Sequence, residues 1–175
     1  RQGLLVYGVF FLEEADINWV GAGLNEQDAY QPLITDQEGF KICWLSYADP
    51  ALVFDISSQN EFIPGAAFLI DEKIKENIKI CKQQSDFIIF SMHIGHEYHA
   101  LPHYQQIEYA HLAIDERVDL VIGHHPHVLQ PIEEYKGKLI FYSSGNFVFD
   151  QPWSDDTCES VIVQIDFNKQ GIELV

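Results

Sequence analysis

Val118-Asp119-Leu120-Val121-Ile122-Gly123-His124-His125-Pro126-His127 (118–127) sets a short apolar run directly against three histidines. The run is rich in β-branched residues and too short for a helix of ordinary length, so it reads as a strand buried on both faces. Upstream, Phe87-Ile88-Ile89-Phe90-Ser91-Met92-His93 (87–93) repeats the arrangement: an apolar run, then a histidine. Between the two, residues 103–116 carry Tyr104, Ile107, His111 and Ile114 at helical spacing, which predicts a helix with those side chains on its inner face. Before them, Asp71 reads as the N-cap of a helix over 72–84, with Ile74, Ile78 and Cys81 as its apolar stripe. Leu139–Tyr142 reads as a further strand after a turn at Lys136-Gly137. Alternating helices and buried strands predict a layered α/β core with antiparallel additions.

The flanking segments are less regular. Ile17-Asn18-Trp19-Val20 reads as a short strand broken by Gly21-Ala22-Gly23, and Leu24 to Tyr30 as a helical turn ended by Pro32. Leu33–Asp36 and Phe40–Tyr47, around Glu38-Gly39, read as a hairpin, and Ala48 to Gly65 as a long surface loop. Val161–Phe167 and Ile172–Val175 read as a closing hairpin. No repeat or internal boundary is visible, so residues 1–175 are expected to form one domain.

Composition narrows the functional classes. Net charge is −17, from 27 acidic against 10 basic residues. That field repels nucleic acid and anionic lipid, which are bound through Lys and Arg, so no nucleic-acid partner is expected. Cys43, Cys81 and Cys158 are scattered and form no Cys-x-x-Cys pair, which argues against a thiolate zinc site and predicts buried or half-buried free thiols.

Eight histidines are many for this length, and their placement matters more than their number. Ligand sites in open α/β sheets form at the carboxyl ends of strands. His93, His125 and His127 all directly follow predicted strands, and converging neutral imidazoles suit zinc, manganese or iron. Alternation along an extended segment turns His124 away from His125, so His124 is set apart from the ligands and kept with Glu97 as a catalytic candidate. His111 is expected to be a hydrogen-bonded core residue, His99 and His103 to be solvated or to act locally, and His96 is left open.

Three longer segments carry a resemblance. Ser91-Met92-His93-Ile94-Gly95-His96-Glu97-Tyr98 is similar to the Met-His-Trp-Gly-x-Glu-Tyr signature of the CapA-like family of capsule and poly-γ-glutamate synthesis proteins, with Ile94 in place of Trp. Residues 119–130 resemble its Gly-x-His-Pro-His segment. Residues 141–151 resemble its Tyr-Ser-Leu-Gly-Asn-Phe-Val-Phe-Asp-Gln segment, with Ser144 in place of Leu. Gly21–Asn25 and Pro64-Gly65 fit the same pattern, so the resemblance spans nearly the whole chain.

The family resembles a branch of the calcineurin-like metallophosphatases. That likeness implies a layered α/β sandwich of the metallophosphatase type with mixed sheets, and two divalent metal ions (Mn, Zn or Fe) in the full-length protein. It implies metal ligation by His93, His125 and His127, and leaves Glu97 either as an acid or base or as the orienter of a ligand histidine. Asn146 is a substrate-side or supporting residue, or equally a turn residue.

The chain contains no Asp-x-His, Gly-Asp or Asn-His element, all of which the resemblance places upstream. The expectation is therefore an N-terminally truncated chain, the C-terminal two-thirds of the domain, inactive by itself. The full-length protein is expected to hydrolyse phosphoesters, acting on a small molecule or polymer precursor. Two alternatives stand beside this: a non-catalytic component of a capsule-synthesis membrane complex, and an unrelated single-metal domain. The cell envelope is favoured over the cytoplasm.

Overall fold

The computed structural model describes residues 2–52, 63–168 and 171–173. In chain order the elements are α1 (Gln2–Glu14), β1 (Ala22–Gly23), α2 (Glu26–Ala29), β2 (Leu33–Gln37), β3 (Phe40–Ala48), β4 (Gly65–Ala66) and α3 (Asp71–Gln84). There follow β5 (Phe87–His93), α4 (Tyr104–Asp115), β6 (Leu120–His124), β7 (Ile132–Tyr135), β8 (Lys138–Phe141), α5 (Asp155–Cys158), β9 (Asp166–Asn168) and β10 (Gly171–Glu173).

Six strands form one mixed sheet in the order β2-β3-β5-β6-β8-β7. The pairs β3–β5, β5–β6 and β6–β8 are parallel, while β2 and β7 pair antiparallel at the two edges. Strand alternation divides the side chains between two faces. Cys43, Leu45, Tyr47, Ile88, Phe90, Met92, Val121 and Ile140 pack with Ile74, Ile78 and Cys81 of α3 and Ala110, Ala113 and Ile114 of α4. The opposite face gathers Ile42, Phe87, Ile89, Leu120 and Phe141 with Trp44, Ile122, Leu139 and Ile165. Each fully buried Ile, Leu or Phe contributes roughly 1.5–3 kcal/mol, so these two layers hold the sheet between them. The layered α/β architecture expected from the sequence is present, with mixed strand directions.

Several local expectations change. Residues 17–20 form no strand. Residues 2–14 form a helix that no sequence signal marked. Val6, Tyr7, Phe10 and Phe11 are exposed while Val9 is buried, so apolar residues run round the helix instead of along one stripe. The N-cap of α3 is Ile70, with no side-chain cap, and Asp71 is already helical. The inner face of α4 is Gln106, Ala110, Ala113 and Ile114; Tyr104 is exposed. Residues 161–165 form no ladder, because an apolar run becomes a strand only where neighbouring backbone pairs with it. The closing hairpin is confined to β9 and β10, and Leu174 and Val175 lie outside the described residues. Of the loop expected from Ala48 to Gly65, residues 53–62 also lie outside them.

The cysteines depart from expectation as well. Cys43 of β3 and Cys81 of α3 form a disulfide, with Cα atoms 5.7 Å apart, and only Cys158 is a free thiol. The helix α3 packs directly on β3, which brings together two cysteines 38 positions apart in the chain.

Candidate metal centre

Parallel strands present their carboxyl ends along one edge, and here three of them carry polar groups. Strand β5 ends at His93, β6 ends at His124, and the chain leaving β8 reaches Asn146. His93 and His124 are register partners. Gly123 is required beside them, since a Cβ there would strike the backbone carbonyl of Tyr142. Beyond His124 the backbone leaves the extended conformation, with φ of 104° at His125 and 61° at His127. These left-handed values are unfavourable for residues with side chains and recur where a site dictates side-chain direction.

The turn overrules the alternation argument for His124. It lines the same cleft as His93, His125 and His127, together with Ser144, Asn146, Phe147 and Val161. The cleft holds about 250 Å³. The His93 and His125 rings lie 4.9 Å apart and those of His125 and His127 6.0 Å apart, centroid to centroid.

Glu97 enters from the loop after β5. The Tyr98 N–H donates to the Pro126 carbonyl at 2.8 Å, pinning this loop to the histidine turn. One ligand atom each from Glu97, His125 and His127 lies within 4.8 Å of the others; among the described residues this is the group of potential donors that converges. His93 is outside that trio but adjoins it through His125. Two imidazoles and a carboxylate, with a third imidazole adjacent, form a mixed donor set suited to zinc, manganese or iron.

Hydrogen bonding prepares His127. Its Nδ1 lies 2.8 Å from Asn146 Oδ1. The Asn146 Nδ2 donates to Thr157 O at 3.0 Å and Gln151 Oε1 at 3.2 Å, so the amide oxygen is the atom turned towards the ring. Nδ1 therefore carries the proton and Nε2 is left as a lone pair, the arrangement a metal ligand needs. Partial desolvation in the cleft favours the neutral form of the other imidazoles. It pushes His93 down to about 4, assisted by His125, His124 and His127. It also lowers His124 and His125; for His125, His127 and His96 act in the same direction while Glu97 and Asp49 oppose it.

Two features escaped the sequence reading. Asp49, just past β3, donates its N–H to the His93 carbonyl at 3.0 Å, and its charge acts to raise the His125 pKa. Gln106, fully buried in α4, donates Nε2 to Gln130 Oε1 at 2.9 Å and accepts from the His103 N–H at 2.8 Å. Gln130 in turn donates to the carbonyls of His99 and Leu101. This amide pair holds the loop that carries Glu97, and Gly95 (φ 122°) leaves the room Gln106 occupies. Neither glutamine belongs to an apolar pattern, so periodicity passes over them. His111 stands apart from the cleft, bonded to Glu133 at 3.0 Å and stacked on Tyr135.

Residues 5–151, well over half of the chain, match the model of the family described as "Bacterial capsule synthesis protein PGA_cap". The chain belongs to the PGA_cap family. The histidine turn, the Glu97 loop and Asn146 all fall within the residues matched. The capsule biosynthesis protein CapA of Bacillus anthracis is 32% identical over 167 residues, covering 93% of this chain and 40% of that protein. The PGA biosynthesis protein CapA of Bacillus subtilis is 36% identical over 165 residues, covering 94% of this chain and 42% of that protein. This PGA_cap chain thus spans about two-fifths of the length of these curated relatives. Among solved structures, a hypothetical protein from Thermus thermophilus superposes with a TM-score of 0.47 at 13% identity, covering 65% of this chain and 38% of that one. The Thermus thermophilus sulfate thiohydrolase SoxB superposes with a TM-score of 0.44 at 18% identity, covering 65% of this chain and 19% of that one.

Proposed function

We propose that the protein to which this chain belongs acts in capsule or poly-γ-glutamate synthesis as a metal-dependent phosphoester hydrolase, with this chain forming the C-terminal part of a metallophosphatase-type domain. The convergence of Glu97, His125 and His127 at the carboxyl end of a parallel sheet, with His93 against His125, carries this reading. Glu97, His125 and His127 would hold one divalent ion through carboxylate and imidazole donors, and His93 with His124 would offer imidazoles towards a second. Such ions polarise a phosphoryl oxygen and stabilise charge on attacking and leaving groups. The chain's own residues do the positioning: Asn146 keeps the His127 Nε2 lone pair free, and Gln106 and Gln130 hold the Glu97 loop. Glu97 as a direct ligand departs from the acid, base or orienting roles that the family motif suggested.

The substrate is a small molecule or polymer precursor, and the partner a capsule-synthesis complex of the cell envelope. The Cys43–Cys81 disulfide supports a compartment outside the reducing cytoplasm. Among the described residues no helix is long and apolar enough to cross a membrane.

His125→Ala and His127→Ala in the full-length protein test the proposal. The expected result is loss of bound metal and of phosphoesterase activity with an unchanged circular dichroism spectrum. Undiminished polymer production in both variants favours the non-catalytic component instead.

A further inference from the structure

Four histidines stand outside the cleft just described, and the structure gathers three of them. His96 follows Gly95, His99 lies three residues further on, and His103 stands at the start of α4. The His96 ring lies 4.2 Å from that of His103 and 5.4 Å from that of His99, centroid to centroid. His96 and His99 are exposed and His103 is half-buried. Among the described residues, no hydrogen bond occupies a ring nitrogen of His96 or His99, so these imidazoles are not held as structural donors.

Their backbone, in contrast, is fixed from beneath. The His99 carbonyl accepts from Gln130 Nε2 at 2.8 Å, and the His103 N–H donates to Gln106 Oε1 at 2.8 Å. Gln106 and Gln130 are both buried and bonded to each other. A rigid backbone therefore presents three rings on one outer surface.

From this geometry we infer that His96, His99 and His103 form a second, surface site for a borderline divalent cation such as zinc, separate from the Glu97–His125–His127 cleft. As they stand, the His96 and His103 rings are stacked with 31° between their planes rather than converged. His96 and His99 are exposed, and exposed side chains change rotamer within nanoseconds, so pivoting of these two about χ1 and χ2 brings their ring nitrogens towards the half-buried His103 at the start of α4. Each ligating nitrogen then sits about 2 Å from the ion, and a fourth, open position remains for water or an anionic ligand. Borderline ions favour imidazole, whereas magnesium and calcium favour oxygen donors. A net charge of −17 raises the concentration of divalent cations around the molecule. The His96–Glu97 peptide link places the site at the rim of the cleft, where a cation is held close to the deeper ligands.

Zinc titration of the 175-residue chain by calorimetry tests this. A His93→Ala/His124→Ala/His125→Ala/His127→Ala variant removes the cleft imidazoles, and it is expected to retain zinc. Adding His96→Asn, His99→Asn and His103→Asn to it is expected to abolish the remainder. The inference is overturned if the first variant binds no zinc, or if the added changes leave its zinc in place. The reverse variant, with only the three asparagines, reports on the cleft alone, so failure here is distinguishable from failure of the proposed hydrolase site. Should the variants misfold, imidazole 15N shifts of the unaltered chain decide the matter. Zinc is expected to move His96, His99 and His103 together, and unmoved resonances at all three overturn the inference.

Discussion

The His93 ring sits where β5 runs out, with His124 beside it across the sheet and His125 4.9 Å away centroid to centroid. Burial and these neighbours together hold it neutral down to about pH 4, against an ordinary value of 6.5. The linkage sign follows. Between about pH 6.5 and pH 4 the unfolded chain binds a proton at this residue that the folded chain does not, so stability falls as pH falls through that window. An NMR titration of the metal-free chain is expected to place the His93 midpoint near pH 4; a midpoint near 6.5 refutes the burial account. At this scale the sequence was informative about which histidines stand together at the strand ends, because apolar runs ending in histidine mark those ends. The alternation argument that turned His124 away from His125 does not hold, because alternation lasts only while the backbone stays extended, and the left-handed turn at His125 brings both into one cleft.

The loop between β5 and α4 is anchored at its start by the buried Ile94 and beyond it by two buried amides. Replacing Gln106 with Leu leaves the His103 N–H and the Gln130 Oε1 without their partners. Each unsatisfied buried polar group costs about 1–3 kcal/mol, so a clear drop in the urea midpoint is expected with little change in m-value. The same substitution is expected to weaken zinc binding at Glu97, His125 and His127, because Glu97 loses its support; unchanged affinity argues that Tyr98 and Pro126 suffice to hold the loop. This element explains why the inner face of α4 is wider than its apolar stripe: Ile114 is buried and Ile107 packs on the core as expected, while Tyr104 is exposed and Gln106 is buried. The pattern Tyr104, Ile107, His111, Ile114 follows hydrophobicity, but the buried face is chosen by Gln106 reaching Gln130 across 24 positions of sequence. Strands β5 and β6 were legible because continuous apolar runs have little use outside a doubly covered sheet. Helix α1 and residues 161–165 were not, since apolar residues without periodicity, or without a pairing strand, carry no unique local reading.

Across the whole molecule, one covalent link joins the helical layer to the sheet. The Cys43–Cys81 disulfide closes a loop of 38 positions, which on the chain-entropy account stabilises the fold by about 4 kcal/mol. The chain unfolded without reductant is therefore expected to give one reactive thiol, Cys158, and three after reduction. Reduction is expected to lower the unfolding free energy by about that amount; three reactive thiols in the unreduced chain refute the link.

By itself the sequence determined the α/β alternation, the hairpin of β2 and β3, the strand ends that bear histidine, and membership of a family through motifs in fixed order. These depend on local periodicity and on short segments whose meaning survives without their neighbours. The tertiary structure alone decided which donors converge, that Glu97 rather than His93 completes the tightest group, that two scattered cysteines meet, and that His96, His99 and His103 share a surface. The physical reason is that each of these is a distance between side chains on different elements. Strand order, backbone turns with positive φ and the packing of helix on sheet set such distances, and none of them is written in the spacing of residues along the chain.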